Sequence, residues 1–179
     1  MFRLLLGDST CLRLLEESDA VELHALIEAN RAHLARWLPW AAAQTFDDTL
    51  GFIRKTREQV AANDGFQTAI VLEERIAGMV GFHGVDWVKR STGIGYWLAA
   101  GRQGRGTMTE AVRVLTDHAL SVWDLHRVEI RAAAENRGSR AIPERLGFRE
   151  EGTLREAESV DGRWLDVVVY AVLASEWSR

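Results

Sequence analysis

The sequence predicts an α+β fold of three layers, in which four helices cover a mixed central sheet of six to seven strands. In some segments apolar residues alternate with polar ones, and in others they recur three and four apart, which are the patterns of strands and of amphipathic helices. These segments follow one another in the order β, α, α, three strands, α, β, α, two strands. Neither an internal repeat nor a long linker interrupts this order, so residues 1–179 are expected to form one domain.

The first part of the chain predicts one strand and two helices. Residues 10–15 have the pattern of a strand. Ser18 or Asp19 then caps a first helix. Pro39 favours an extended conformation for the residue before it, so this helix is expected to end there. The second helix is expected at residues 47–63, where Asn-Asp-Gly ends it.

The rest of the chain predicts the other strands and two further helices. Residues 66–72 and 76–82 flank a short turn and predict a hairpin, and residues 92–98 predict a third strand. A helix with apolar residues three and four apart then runs from residue 107 to about 123. The last elements are, in order, a strand at 127–133, a short helix at 139–146, and two strands at 148–155 and 164–173 joined by the Asp161-Gly162 turn.

Composition and charge exclude several classes of protein. The hydrophobic fraction of 47% and the charged fraction of 27% are typical of a globular protein in water. With a net charge of −4 and no basic patch among aromatics, a nucleic acid is not an expected partner. No apolar run approaches about 18 residues, so no membrane association is expected, and the N-terminus lacks the apolar run of a signal peptide.

The cysteine and the histidines restrict the compartment and the metal chemistry. The single cysteine, Cys11, cannot form an internal disulfide and suits a reducing compartment, so we expect a cytoplasmic protein. No two histidines lie three to five residues apart. Because zinc sites draw on such spacings or on cysteine pairs, no metal site is predicted.

A glycine-bearing segment, Gln103-Gly104-Arg105-Gly106-Thr107-Met108, links the strand at 92–98 to the following helix. Backbone N–H groups at a helix start have no partner within the helix, and the helix dipole adds partial positive charge there. The two glycines let the backbone approach a ligand closely. The segment therefore predicts a cradle for a pyrophosphate. It is neither G-x-G-x-x-G nor a Gly-Lys-Ser/Thr loop.

This segment resembles the acetyl-CoA loop of the GNAT acetyltransferases, Q/R-x-x-G-x-G/A, with Met108 in place of the last small residue. The order of elements is similar to that family along essentially the whole chain. Residues 36–40, R-W-L-P-W, and 161–170, D-G-R-W-L-D-V-V-V-Y, resemble the RimL/RimJ branch of ribosomal-protein N-terminal acetyltransferases. The resemblance implies a GNAT fold with a V-shaped splay between the two strands that flank the loop helix. It also implies transfer of an acetyl group from acetyl-CoA to a primary amine, first of all the α-amino group of a protein or peptide.

The family resemblance implies a place for the pantetheine arm of acetyl-CoA. The arm would lie between the strand before the loop and the strand at 127–133, and would pair with their backbones as an added strand does. Gly93 and Gly95 fit a bulge or a close approach of the backbone there. Their other interpretation is that they relieve packing against a large neighbour.

Further contacts with acetyl-CoA are implied for single residues. Tyr96, Trp97 and Leu98 would contact the coenzyme together with the loop. The N–H of Leu98 or of Trp97 would stabilise the oxyanion of the tetrahedral intermediate. Asn136 would hold the pantetheine amide.

Two residues are implied to move protons, Glu158 as general base and Ser139 as a donor to the coenzyme sulfur. Glu156, expected on the same side of its strand, is an alternative base, and Asp166 is a third carboxylate for which an ion-pair or structural role is equally expected. A carboxylate with a pKa near about 4.3 needs a water or burial to deprotonate an ammonium. Ser139 also fits a helix N-cap. Pro143 replaces the tyrosine acid of many GNAT enzymes and leaves the carbonyl of residue 139 free for water or a ligand.

The acceptor is the least defined part of the prediction. Trp37 and Trp40 lie between the first two helices, where they would line the acceptor pocket or form a packed hinge. A polyamine, an amino acid or an antibiotic could be the acceptor, and succinyl-CoA could be the donor. A CoA-binding regulatory domain without turnover is a further alternative, whereas a nucleotide-binding module is disfavoured because no acidic ribose-reading residue follows a βαβ unit. A homodimer is expected from the family.

Overall fold

One eight-stranded sheet forms the middle layer of the protein in a computed structural model that describes residues 3–7 and 10–177. Residues 1, 2, 8, 9, 178 and 179 of the predicted domain lie outside the described residues. The helices are α1 (Ala20–Leu34), α2 (Phe46–Ala61), α3 (Thr107–Asp117) and α4 (Arg137–Arg145). The strands are β1 (Arg3–Gly7), β2 (Thr10–Leu14), β3 (Gln67–Leu72), β4 (Arg75–Asp86), β5 (Ser91–Leu98), β6 (Arg127–Ala133), β7 (Arg149–Val160) and β8 (Arg163–Leu173).

The sheet is mixed, as predicted, with the order β1-β2-β3-β4-β5-β6-β8-β7. Only β5 and β6 are parallel, because α3 connects them as a crossover, and all other neighbours are antiparallel. The described residues form eight strands instead of the predicted six to seven. The additional strand, β1, consists of Arg-Leu-Leu-Leu-Gly, which has no polar–apolar alternation and was therefore missed.

Helices cover the two faces of the sheet and bury two apolar clusters. On one face, α3 places Met108, Ala111 and Val112 against strand residues such as Ile94 and Val128. On the other face, the helices α1 and α2 bury one side of β3 and β4. The cluster on that second face includes Leu23, Ile27, Ile53, Ala69 and Met79. The predicted three-layer arrangement is thus confirmed.

The parallel pair β5 and β6 separates after a short contact. The two strands pair only from Ser91 with Arg127 to Gly93 with Glu129. Beyond Gly93, β5 continues to pair with β4, and β6 continues to pair with β8. The predicted V-shaped splay is therefore present, and its apex lies at the Gly93–Glu129 pair.

Some element bounds differ from those predicted. Helix α1 ends at Leu34, and a short 3₁₀ turn at Pro39–Ala42 follows. Helix α4 begins at Arg137, two residues before the predicted start. No helix among residues 3–7 and 10–177 is long and apolar enough to span a membrane.

Candidate active site

A cavity of about 1420 Å³ passes through the gap between the splayed strands. Its lining comes from β5 on one side of the gap, from β6 on the other, and from helices on both faces of the sheet. The cavity brings together nearly all of the predicted site residues. These are Trp37, Trp40, Tyr96, Trp97, Leu98, Gln103, Gly104, Arg105, Gly106, Thr107, Met108, Asn136 and Ser139.

The predicted pyrophosphate cradle has the backbone that its sequence requires. Gly104 and Gly106 have φ values of 77° and 80°, in the left-handed region that favours glycine. Gly106 is the N-cap of α3, and no side chain caps the helix start. The first turn, Thr107 to Glu110, lines the cavity. The free N–H groups at this helix start therefore suit an anionic phosphate group.

Gln103, the first residue of the loop, holds the loop in place. Its Nε2 lies 3.2 Å from the carbonyl oxygen of Leu98 and 2.9 Å from Nε2 of His33. Because the amide nitrogen must donate to the Leu98 carbonyl, the ring nitrogen of His33 acts as an acceptor. This pair fixes the loop against the end of α1.

The backbone direction of β5 separates the two candidate oxyanion donors. The Ala99 N–H donates to the Ala77 carbonyl, at 2.8 Å, on the β4 side. Because N–H groups two residues apart in a strand point the same way, the Trp97 N–H also faces β4 and the Leu98 N–H faces the gap. The Leu98 carbonyl points to the same side, where Gln103 binds it. Of the two predicted donors, only Leu98 therefore presents its N–H to the cavity.

Tyr96 joins β5 to α4 across the gap. Its hydroxyl donates to the carbonyl oxygen of Ser139 at 2.9 Å. This carbonyl has no helical donor because Pro143, four residues on, lacks an N–H. The expectation that the carbonyl is free for water or ligand is therefore wrong. Burial raises the pKa of Tyr96, so the side chain stays a neutral phenol.

Asn136, and not Ser139, is the N-cap of α4. The Asn136 Oδ1 accepts from the Ser139 N–H at 3.2 Å. The alternative interpretation of Ser139 as the N-cap is therefore wrong. The Ser139 hydroxyl has no hydrogen-bond partner among the described residues, and the residue lines the cavity. Its position suits a contact with the coenzyme.

The three predicted carboxylates lie in the β7–β8 hairpin, outside the cavity lining. Glu158 and Glu156 are exposed. The register of β7 against β8 shifts between Leu154 and Glu158, and Glu156 has a φ of 50°. This bulge breaks the alternation on which the expected equivalence of the two glutamates depended. Asp166 accepts the Glu156 N–H at 2.8 Å, which gives it the structural role that was one of its alternatives.

Trp37 and Trp40 lie on the face of the sheet covered by α1 and α2, as expected for an acceptor wall. The rings of Trp40 and Trp97 are 6.3 Å apart, and Trp40 remains 39% exposed, so the segment is more open than a packed hinge. Arg31 of α1 binds the backbone that follows Trp40. Its guanidinium donates to the carbonyls of Ala42 and Gln44, at 2.9 and 2.7 Å. These bonds fix the backbone that follows Trp40 against α1.

His83, which sequence reasoning did not select, also lines the cavity, together with Arg131. A Cβ built on Gly95 would overlap Nε2 of the His83 ring, and one on Gly93 would lie 3.6 Å from its Cδ2. The interpretation that these glycines relieve packing against a large neighbour is therefore confirmed for Gly95, where the neighbour is His83, whereas a Cβ on Gly93 would make an ordinary contact. The two glycines were the only signal of this contact in the sequence.

No group of three or more His, Cys, Asp or Glu side chains with metal-binding geometry occurs in the described part of the chain.

A helix start with uncapped N–H groups, a split strand pair and a cavity through the split together define an acyltransferase that holds a coenzyme A thioester. Each of the three features is local to β5, β6 and α3.

Comparison with known proteins identifies the family. Residues 10–149 match the family model described as an acetyltransferase (GNAT) domain. The chain is 38% identical to YdaF of Bacillus subtilis (strain 168), over 99% of this chain and 98% of that protein. It is 28% identical to the ribosomal-protein-serine acetyltransferase of Escherichia coli (strain K12), over 92% of this chain and 93% of the relative.

A solved structure of RimL, the ribosomal L7/L12 alpha-N-protein acetyltransferase in complex with coenzyme A, has the same fold. The TM-score is 0.91 at 26% identity, over 96% of this chain and 98% of that one. The protein therefore belongs to the GNAT acetyltransferase family. It is an N-acetyltransferase of the RimL-like branch, with acetyl-CoA as its co-substrate.

Proposed function

We propose that this protein transfers the acetyl group of acetyl-CoA to the α-amino group of a protein or peptide N-terminus. The observation that carries the proposal is the cavity through the β5–β6 gap. One end holds the phosphate cradle on the α3 side, and the other end opens between α1 and α2, where Trp40 and Trp97 form an apolar wall. The names of the ribosomal-protein relatives support the same acceptor class.

The residues that hold the thioester follow from the geometry of the gap. The helix start at Gly106 to Met108 would bind the pyrophosphate, and the edges of β5 and β6 would pair with the pantetheine arm. The Leu98 N–H would then stabilise the oxyanion. In other enzymes, loss of one such donor raises the activation free energy by roughly 3 kcal/mol.

Two residues on α4 complete the donor side. The Asn136 Nδ2 has no partner among the described residues, which supports a hydrogen bond to a pantetheine carbonyl. The free hydroxyl of Ser139 supports a hydrogen bond to the coenzyme sulfur as the C–S bond breaks. Glu158 matches the family's proposed base by sequence, but its exposed place in the β7–β8 hairpin gives that role no support from the cavity.

The test is release of free thiol from acetyl-CoA by the purified protein. The acceptors are peptides with different N-terminal residues, N-terminally blocked copies of the same peptides, polyamines, amino acids and aminoglycosides. We expect release with unblocked peptides and none with blocked ones. Release with small amines alone would reassign the acceptor, and release only with succinyl-CoA would reassign the donor. Tight acetyl-CoA binding without turnover would support a regulatory domain instead.

The proposal extends to the organisation of the protein as one domain that forms a cytoplasmic homodimer. One sheet joins all described strands, which supports a single domain. Cys11 is a buried free thiol, which suits a reducing compartment. The edge strand β7 is exposed, with Leu154 of β7 43% exposed and Trp164 of the neighbouring β8 64% exposed, and this supports pairing with a second copy. Light scattering after size exclusion would test the dimer.

A further inference from the structure

We propose that His83 is the general base of the reaction, which removes a proton from the ammonium group of the acceptor. This inference rests on the proposed acetyl transfer and deepens it. It assigns the proton acceptor to β4, to a residue that lines the cavity, instead of to the glutamates of β7, which do not line it.

His83 stands over the apex of the splay, on the acceptor side. Its ring lies against Gly93 and Gly95 of β5, in the volume that a side chain at Gly95 would fill. Gly93 is the last residue of β5 that pairs with β6. Trp97, two residues beyond Gly95 on the same side of the strand, belongs to the cluster beneath α1 and α2. His83 therefore faces the same compartment as the Trp40–Trp97 wall.

The distance to the reacting atoms is suited to a relay through water. A strand rises about 3.3 Å per residue, so Leu98 lies about 10 Å along β5 from Gly95. The carbonyl held by the Leu98 N–H projects back into the gap. An amine attacking that carbon would lie between Leu98 and His83, and one or two waters would bridge the remaining space.

The other histidines are not available for this role. His33 Nε2 is bound to Gln103, and its ring holds the loop. His118 packs between the rings of Phe66 and Trp123 in the apolar cluster beside α3. His24 and His126 do not line the cavity among the described residues.

The charges around His83 favour its neutral, basic form. Desolvation by the surrounding protein, and then the positive charge of Arg131 on β6, lower its pKa. His83 is exposed at the cavity, so solvent moderates this shift, and bound substrates that displace water would strengthen it. Glu129 pairs with Arg131 at 2.6 Å and offsets part of its charge. From α2, Lys55 and the acidic pair Asp47 and Asp48 line the same cavity, while β3 contributes the uncharged Gln67.

The proton balance of the step is complete. The ammonium loses one proton through the bridging water to the imidazole of His83, and the freed lone pair of nitrogen attacks the thioester carbonyl carbon. The C–S bond then breaks, and the electron pair leaves with sulfur. The thiolate is protonated by the proton that the new amide nitrogen loses, and the imidazolium of His83 releases its proton to water. The products are the N-acetyl amide, the CoA thiol and one proton.

The same base favours α-amino groups over lysine side chains. An α-ammonium has a pKa of about 7.7–8.0, whereas that of a lysine ammonium is about 10.4. Proton transfer to an imidazole of pKa below about 6.5 is therefore less unfavourable from the α-ammonium by roughly two to three pKa units. This difference agrees with the proposed N-terminal acceptor.

The experiment compares the pH dependence of kcat, with a peptide acceptor, for the wild type and His83→Gln. We expect the wild-type kcat to fall at acid pH as His83 becomes protonated. We expect His83→Gln to lower kcat by about 100- to 10,000-fold and to lose this acid limb. The Kd for acetyl-CoA, measured by calorimetry, should change less than threefold. In His83→Ala, added imidazole should restore part of kcat.

His126→Gln, an exposed histidine outside the cavity, is the matched control and should keep both kcat and the acid limb. If His83→Gln keeps kcat within threefold with the same acid limb, or if Glu158→Gln alone removes that limb, the role of His83 is overturned while the proposed acetylation stands. If the wild type acetylates neither peptide nor amine, both the proposed function and the role of His83 fail.

Discussion

Replacement of Tyr96 by Phe removes one hydroxyl that joins β5 to α4 across the splay. The hydroxyl donates to the Ser139 carbonyl at 2.9 Å. In an uninterrupted helix this carbonyl would accept from the N–H of residue 143, but Pro143 has none. Tyr96→Phe therefore leaves a half-buried carbonyl without a donor, and the structure predicts a loss of stability.

The magnitude follows from two contributions. The net value of the hydrogen bond is about 0.5–1.5 kcal/mol, and a buried acceptor without a partner costs about 1–3 kcal/mol. Ser139 is only partly buried, and water can reach part of its surface. We therefore expect Tyr96→Phe to lower the free energy of unfolding by about 2 kcal/mol, or roughly 4–8 °C in Tm for a chain of this size.

Pro143→Ala supplies the missing donor and makes this reasoning testable in a double-mutant cycle. In the Pro143→Ala background, the N–H of residue 143 can bind the Ser139 carbonyl, so Tyr96→Phe should cost about 1 kcal/mol less than in the wild type. Urea unfolding of the four proteins at constant m-value measures this coupling. An equal cost of Tyr96→Phe in both backgrounds would refute the account of the Ser139 carbonyl.

Three further perturbations test the site and the scaffold. Arg31→Met releases the carbonyls of Ala42 and Gln44, which follow the Trp37–Trp40 segment, so the KM for the peptide acceptor should rise about tenfold while that for acetyl-CoA stays constant. Equal rises in both constants in steady-state kinetics would contradict this role. Gly106→Ala places a methyl group at a φ of 80°, which should lower the free energy of unfolding by about 1 kcal/mol in chemical denaturation and weaken acetyl-CoA binding in calorimetry. The control Gly101→Ala, at an ordinary φ, should do neither. Burial opposes ionisation of Asp19, but hydrogen bonds from Arg13 and from the Glu16 N–H outweigh it and lower the pKa of Asp19. The ionised Asp19 therefore stabilises the fold at neutral pH, and this contribution is lost as the pH falls through the lowered pKa. Asp19→Asn should therefore destabilise the protein at pH 7 but much less near pH 2, and a cost independent of pH in urea titrations would disprove the linkage.

Local patterns in the sequence determined most of the secondary structure and the cradle. Helical periodicity and the two glycines at 104 and 106 act within a few residues, so they predicted α3 and its start without knowledge of the rest of the chain. The same reasoning failed where the local pattern was weak. The strand β1 has three consecutive leucines, and the start of α4 depended on whether Asn136 or Ser139 is the cap.

The tertiary structure alone decided which side chains share the cavity. Tyr96 meets Ser139 across 43 positions, and His83 meets Gly95 where the register of β4 against β5 shifts between Phe82 and Val85. Glu158 pairs with Leu165 after the bulge in β7, in the exposed hairpin and outside the cavity that holds the other predicted residues. Because strand pairing and bulges are set by packing over the whole sheet, no local pattern specifies these contacts. The sequence by itself thus determined the coenzyme cradle, whereas the place of His83 in the cavity lining emerged only from the folded sheet.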